Sequence, residues 1–407
     1  RGLAYARMIG HLTYLSALSM HQKFGRNQRT GHDEDRFETG FEVESYLAHQ
    51  GEAFVRRFDA NSYLHITWAM DHFDLFARYG SLEKAFAESK AEFLLVALSS
   101  DWLFFPEQTR ELGSVLLGLK KVVSLVELDS PYGHDAFLLE VAHLSRVLNG
   151  FLEKPASSPK RVSGPIQAMA SAPANGPGGV AQAFPAEAAQ ATAQAASAAI
   201  PRPSAFPRSA AGDLSAIGTL IEPGSHILDI GCGDGALIDN LYRSHGVTGI
   251  GIDFDLGHVV ECLRKNVPVL QSDADKGLSL VGGRLFDYAV LNRTLQEVKR
   301  PQLVLREMLR VARKGIVAFP NFAHIGNRLA LLGTGVMPVS EALPHTWHDT
   351  PNIHLFSLDD FRILCRQEGI RIEKIRYAGA ALLSRIFLGL GRPNLGAEFV
   401  IARIAKV

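Results

Sequence analysis

Two sets of residues along the 407-residue chain have the types and spacing to do chemistry. In the first, Asp101 lies just after the apolar run Phe93 to Leu98, and His134 follows a second run, Val122 to Leu128. An acid after one parallel strand and a histidine after the next form the Asp…His half of a nucleophilic triad. The acid orients the imidazole, and the imidazole moves the proton. By spacing alone, a strand-end Asp and a loop His are equally ordinary structural residues. In the second set, Gly231, Gly233 and Gly235 stand between the run His226 to Ile230 and Ala236. Glycine permits positive φ and has no Cβ, so this backbone can approach a cofactor at the end of a strand. Asp229 precedes the loop, Asp253 ends the next strand roughly 20 residues on, where a carboxylate can accept from ribose hydroxyls, and Asp273 follows the third strand. The spacing is GxGxG and not the GxGxxG of a dinucleotide fold, so NAD is the runner-up ligand. The plain alternative is a tight strand-to-helix turn, with Asp253 and Asp273 capping helices.

The elements that must hold these groups are legible in the hydrophobic pattern. Phe54, Phe58, Leu64, Trp68 and Phe73 recur at helical spacing, so helices are expected from Phe41 to Tyr79. A β-α-β tail then follows: strand Phe93 to Leu98, helix Pro106 to Leu119 and strand Val122 to Leu128. From Asp213 onward the alternation is regular, with strands at His226 to Ile230, Thr248 to Ile252, Val269 to Gln271, Phe286 to Leu291 and Lys314 to Phe319, and a helix from Pro301 to Arg313. That pattern predicts a doubly wound parallel sheet. A last pair near Ile370 to Tyr377 and Glu398 to Ala405 is expected to close it as a hairpin or antiparallel edge.

Composition sets the outer limits. Lys+Arg and Asp+Glu are equal at 42 each, so no net field draws the chain to nucleic acid or an anionic membrane surface. No apolar run reaches the ~20 residues of a membrane span, and Ala380 to Gly391, broken by Arg385, reads as a core or lid helix. Cys232, Cys262 and Cys365 are odd in number and form no CxxC pair, which argues against a disulfide framework or zinc ribbon and fits the cytosol. Between Pro155 and Gly212, 19 of 58 residues are Ala, 9 are Pro and five are charged, a composition that cannot build a core. This stretch is expected to be a flexible linker, with a short Ala-rich helix near Glu187 to Ala199 as the exception. It divides the chain into units 1–154 and 213–407, with 155–212 between them.

The words around each set carry resemblances. The D-x-G-x-G-x-G form from Asp229 to Gly235, with the acids Asp253 and Asp273, resembles class I S-adenosylmethionine-dependent methyltransferases. Thr294-Leu295-Gln296, Phe319-Pro320-Asn321-Phe322 and Asp349-Thr350-Pro351-Asn352-Ile353-His354 extend the likeness across the second unit to the MetW family of methionine-biosynthesis proteins. The resemblance implies S-adenosylmethionine bound by Asp229, Gly231, Gly233, Gly235, Asp253 and Asp273. One departure is His345-Thr346-Trp347-His348, where that family carries aromatic and acidic residues around the tryptophan. These histidines with His354 could suggest a metal, but the family implies none.

The first unit, from Arg1 to about Leu152, resembles homoserine O-acyltransferases of the MetX family. The likeness rests on Ala6-Arg7-Met8 with Thr13-Tyr14, Lys23-Phe24-Gly25-Arg26, Phe41 to Leu47, Phe58 to Tyr63, Ser100-Asp101-Trp102-Leu103-Phe104 and Tyr132-Gly133-His134-Asp135. It implies the C-terminal part of an α/β-hydrolase fold with a helical lid. Asp101 then orients His134, His134 is the general base and acid, and Arg7 and Asp135 hold the carboxylate and amine of L-homoserine. Acetyl- or succinyl-coenzyme A is the acyl donor, and a homodimer through the lid is expected. No GxSxG elbow occurs in the 407 residues. Because the serine precedes Asp and His in this fold, and the chain opens on Arg1-Gly2-Leu3, the nucleophile is expected upstream of Arg1. The methyl acceptor, if any, is not legible: the loop Asn292 to Glu297 has no NPPY-like group. A non-catalytic regulatory partner of the acyltransferase therefore competes with a working methyltransferase.

Overall fold

The computed structural model describes residues 1–29, 40–153, 211–340, 342–379 and 381–407. The Ala/Pro-rich stretch lies outside them, except that Ala211 and Gly212 open a helix, Ala211–Gly218. The helix expected at Glu187 to Ala199 also lies outside. Nine strands are formed: β1 Phe93–Leu98, β2 Val123–Leu128, β3 His226–Ile230, β4 Thr248–Asp253, β5 Val269–Gln271, β6 Phe286–Asn292, β7 Ala312–Pro320, β8 Ile370–Ala378 and β9 Phe399–Lys406. They make one sheet in the order β1-β2-β5-β4-β3-β6-β7-β9-β8. Strands β1 to β7 pair in parallel, and β9 runs antiparallel between β7 and β8. Within β5-β4-β3-β6-β7 the winding reverses between β3 and β6, which is the switch point of a doubly wound sheet.

Side chains alternate across the sheet, as the two-residue period of a strand requires. Leu228 and Ile230 enter one apolar layer with Leu116, Val304 and Phe361, while Ile227 enters the other with Val147, Ile217, Leu241 and Val259. Helices Pro106–Gly118, Pro301–Val311 and Leu358–Gln367 therefore cover one face. Helices Val141–Leu152, Ala211–Gly218, Ala236–His245 and Leu256–Arg264 cover the other. Proline opens two of them, Pro106 and Pro301, where its fixed φ suits the first turn and its missing N–H costs no helical bond.

Two expectations need correction, and one is met with a qualification. The helices expected from Phe41 to Tyr79 are formed, but their apolar residues do not share one buried face. Phe54 is buried, but Leu64, Trp68 and Phe73 are more than 60% exposed. The chain breaks after helix Glu42–Arg57, and Asp59 caps a new helix, Ala60–Asp71, by accepting from Ser62 N at 2.7 Å, which changes the phase of the pattern. The segment from Ala380 is a helix only over Leu382–Gly389, and of its residues only Ser384 is buried, so it is not a core helix. The helix from Pro301 ends at Val311 because Ala312 already belongs to β7.

The two units, read separately in the sequence, share this sheet. Strand β2 meets β5 at the single register pair Leu125 and Leu270. Side chains close the rest of the seam: Val269 N donates to Ser124 Oγ at 3.2 Å and Glu127 N to Gln271 Oε1 at 3.1 Å. Over it, helix Val141–Leu152 lies so close to helix Leu256–Arg264 that a Cβ on Gly150 would sit 3.3 Å from Leu263 Cβ and the Val260 carbonyl oxygen. Gly150→Leu is accordingly expected to lower unfolding stability by about 1–3 kcal/mol through overpacking. Gly118→Leu, at a helix end where an added Cβ meets nothing within 4 Å, is the control. Urea denaturation of both variants checks this, and equal losses would show that Gly150 is not a packing contact.

Candidate functional site

Parallel strands deliver their carboxyl ends to one edge of the sheet, and the sequence-identified groups lie along that edge. After β1, Asp101 is 5% exposed, and its Oδ1 accepts from Leu103 N at 2.9 Å and Phe104 N at 3.1 Å. Its Oδ2 lies 2.8 Å from His134 Nδ1. The buried carboxylate therefore holds the imidazole by its Nδ1 side and leaves Nε2 as the nitrogen that Asp101 does not engage. The pairing predicted from a strand-end acid and a loop histidine 33 residues apart is formed.

The loops that carry the pair are stitched together. Ser100 Oγ donates to the Ser130 carbonyl at 2.5 Å and accepts from Gly133 N at 2.9 Å. Gly133 has φ +66°, and a Cβ there would lie 2.6 Å from Ser16 N and 2.7 Å from the Tyr14 carbonyl oxygen, so only glycine lets the turn before His134 rest on the chain after helix Gly2–Tyr14. Ser16 Oγ donates to the Pro131 carbonyl and Trp102 Nε1 to the Leu15 carbonyl, the latter at 3.2 Å, which ties both loops to the same stretch.

That helix and its neighbour bring up the remaining groups. The Arg7 guanidinium lies 5.0 Å from the Phe54 ring centroid, and the Tyr14 ring lies 5.7 Å from the His134 ring. Half-buried Asp135 has its carboxyl pushed up by burial, against the charges of His134, Arg7 and Lys23, which pull it down. Arg7 and Asp135 thus fall in one electrostatic neighbourhood beside His134.

Sequence reasoning missed His11 and Tyr46, whose Nδ1 and hydroxyl lie 3.1 Å apart across 35 residues, a separation that leaves no local signal. Burial, with the Arg7, Lys23 and Arg57 charges, pushes the His11 imidazole down to about 4. Folded His11 therefore stays neutral while the unfolded chain takes up its proton near pH 6.5. This group contributes no penalty above pH 6.5 and a growing one as pH falls toward 4, reaching up to about 3 kcal/mol. His11→Gln is expected to flatten that share of the pH dependence, read as the difference between wild-type and variant urea midpoints at pH 7 and pH 5. An unchanged difference would remove His11 as the cause.

At the switch point, Gly231, Gly233 and Gly235 have φ of +73°, +56° and +75°. Two of them also have internal reasons to be glycine. A Cβ on Gly231 would lie 2.6 Å from the Thr294 side chain, and one on Gly235 would lie 3.1 Å from Cys262 Sγ. Asp229 is 1% exposed at the end of β3. Asp253, 3% exposed, does not cap a helix; Asp255 does, accepting from His258 N at 3.1 Å. Asp253 Oδ2 accepts from Gly233 N at 2.8 Å, while Oδ1 accepts from Asp255 N at 3.0 Å and lies 3.2 Å from His258 Nδ1. A carboxylate joined to the middle glycine and to a partly exposed histidine suits a ribose diol that takes the place of the histidine. His258, in the first turn of the next helix, is a further residue that the sequence did not single out. Asp273 behaves as the plain alternative holds, accepting from Asp275 N at 2.9 Å.

Beneath the loop, Cys232 Sγ and Cys262 Sγ are 3.8 Å apart, and the Cys262 contact and burial push the Cys232 thiol well up, so it is not a ready nucleophile. Among the described residues, no group of three His, Cys, Asp or Glu could hold a metal ion, and no helix is long and apolar enough to cross a membrane. A surface recess of about 590 Å³ beside Arg362 and Ile372 lies at the amino end of β8 and carries none of these groups.

Comparison with known proteins bears out both resemblances. Residues 211–401 match the family described as methionine biosynthesis protein MetW. The chain is 33% identical over 388 residues to the bifunctional methionine biosynthesis protein MetXA/MetW of Rhodopirellula baltica, covering 92% of this chain and 55% of that one. It is 49% identical over 169 residues to a homoserine O-succinyltransferase of Halothiobacillus neapolitanus, covering 41% of this chain and 42% of that one. It is also 49% identical over 154 residues to a homoserine O-acetyltransferase of Methanococcus vannielii, covering 38% and 31%. The chain thus spans between about a third and just over half of these relatives' lengths. Among solved structures, a SAM-dependent methyltransferase from Archaeoglobus fulgidus matches 48% of this chain and 92% of its own, at 15% identity and a TM-score of 0.37.

Proposed function

We propose that the chain serves methionine biosynthesis in the cytosol. In this reading its first unit is the proton-handling part of a homoserine O-acyltransferase on an α/β-hydrolase scaffold, and its second unit binds S-adenosylmethionine. The observation that carries the first half is the 2.8 Å pair of His134 and buried Asp101 at the carboxyl ends of adjacent parallel strands. Asp101 holds His134 with Nε2 toward the nucleophile, a serine on acyltransferase chain outside these 407 residues. His134 takes the serine proton as the serine oxygen bonds the acyl carbon, the thioester C–S bond breaks, and coenzyme A leaves as a thiol with that proton. In the second half, His134 takes the proton of the homoserine Oγ as it attacks the acyl-serine, then returns it to the departing serine. Arg7 binds the homoserine carboxylate and Asp135 its ammonium group, whose charge compensates a carboxylate that burial disfavours.

Joined to the acyltransferase portion that completes the relatives' length, the chain is expected to release coenzyme A from acetyl- or succinyl-coenzyme A in the presence of homoserine. Comparing the two donors identifies the acyl group. His134→Ala should lower kcat by a factor on the order of 10⁴ or more. Near-normal turnover by that variant, or turnover by residues 1–407 alone, would defeat the assignment.

In the second unit, the loop Gly231 to Gly235 with Asp229 holds the cofactor, Asp253 takes its ribose hydroxyls as His258 yields, and Asp273 borders the adenine side. Such a cofactor supplies an electrophilic methyl group when bound. Asp253→Ala is expected to weaken S-adenosylhomocysteine binding by about tenfold or more, the loss of charge-assisted hydrogen bonds. Calorimetry on the whole chain measures this, and tighter binding of NAD would transfer the site to the runner-up. A regulatory, non-catalytic role for this unit is favoured by one observation, the shared seam at Leu125, Gln271 and Gly150. Through it, cofactor occupancy next to β4 and β5 can reach β2 and His134. The outward Leu64, Trp68 and Phe73 suit the expected homodimer contact of the lid.

A further inference from the structure

Three sequence words left without a role, around Gln296, Pro320 and His354, meet at one place on the carboxyl-end edge. Gln296 follows β6, and its backbone carbonyl accepts from Ile353 N at 2.8 Å and His354 N at 3.0 Å, which folds the segment 349–354 onto the loop. Its side-chain Nε2 donates to the Arg293 carbonyl at 2.7 Å. That bond sets the orientation of the amide, because a flipped amide would bring two oxygens together. Gln296 is 5% exposed, and among the described residues its Oε1 and His354 Nε2 are buried atoms without a hydrogen-bond partner. Both residues line the same recess, whose other walls include Pro320, Phe322, Leu343 and Leu355. Two unpartnered polar atoms on residues that line one recess call for a hydrogen-bonding partner there, since a buried acceptor otherwise carries its full desolvation cost.

The lining defines what fits. It holds no carboxylate, ammonium or guanidinium group, so an ionic head would be desolvated without compensation. The space amounts to about 10 Å³, room for one water-sized group. Gln296 Oε1 requires a donor, and His354 Nε2 accepts or donates according to its tautomer. The recess is also coupled to the glycine loop, because Thr294, two residues before Gln296, carries the side chain that fills the place of a Cβ on Gly231.

We propose that this recess is a binding subsite for the neutral N–H or O–H head of a small organic molecule, presented beside the cofactor loop. The inference rests on the S-adenosylmethionine reading for its purpose, an acceptor-side subsite, but binding of the head group does not require the cofactor.

Saturation-transfer NMR on the whole chain tests it with acetamide as the probe. N,N-dimethylacetamide, which lacks the donor, and acetate, which is charged, are the controls. Acetamide is expected to bind, the two controls not, and Gln296→Met and His354→Phe each to weaken acetamide by about fivefold to tenfold. Calorimetry with S-adenosylhomocysteine is run in parallel and is expected to be unchanged in Gln296→Met, which also shows that this variant is folded. Equal signals from acetamide and its dimethyl analogue, or acetamide binding indifferent to both variants, would mean that the recess takes only water and would overturn the proposal. Absence of S-adenosylhomocysteine binding to the wild-type chain, with acetamide binding as expected, would instead remove the cofactor reading and leave the subsite in place.

Discussion

Parallel pairing is the constraint from which the rest of this molecule follows. Strands that run the same way must end at the same edge, so the loops after β1 to β7 are gathered along one line whatever their sequence separation. Asp101, His134, the glycine loop, Asp253, Asp273, Gln296 and Asn321 all lie at or just beyond the carboxyl end of a strand. Buried strands need apolar residues on both faces, and this restricts chemistry to their ends. Asp101 and Asp253 are each less than a tenth exposed and are met by backbone N–H groups where a loop turns back, Asp101 by Leu103 and Phe104 and Asp253 by Gly233 and Asp255.

Much of this was legible in the sequence. The strands are short apolar runs bounded by polar residues, and the periodicity placed them to within about two residues. The pairing of Asp101 with His134 followed from their positions after consecutive strands. What the sequence left hidden depends on contacts between distant segments. Tyr46 meets His11, and Gly133 presses on the backbone around Tyr14 to Ser16, with nothing in the local sequence to announce either contact. The apolar stripe from Phe54 to Phe73 announced helices, but helical spacing does not say what lies against them. A single capping residue, Asp59, resets the phase of that stripe. The glycines were read as a means for a cofactor to approach, and the structure gives two of them a second reason, the side chains of Thr294 and Cys262 pressed against them. One residue type thus answers to both packing and binding, and neither use excludes the other.

The seam between the units changes the meaning of the division at the Ala/Pro-rich stretch. Composition separates two modules, yet helix Val141–Leu152 is seated on helix Leu256–Arg264, and a glutamine from one strand completes the ladder of the other. The joint relies on side chains where a full ladder would use backbone, so it is specific without being extensive. Only β5 and β4 separate β3, which leads into the glycine loop, from β2, which leads toward His134.

The two outer strands of the sheet are unlike each other. Strand β8 carries Arg371, Glu373, Lys374 and Arg376, charges that discourage a stray chain from adding to its free side. Strand β1 reads Phe-Leu-Leu-Val-Ala-Leu and has no such guard among its six residues. At the seam, strands β2 and β5 meet along edges on which Glu127 is the one charged residue of the two strands. If the halves of the sheet were parted, each would offer an apolar backbone edge to any extended chain nearby, so keeping them on one polypeptide also protects against aggregation.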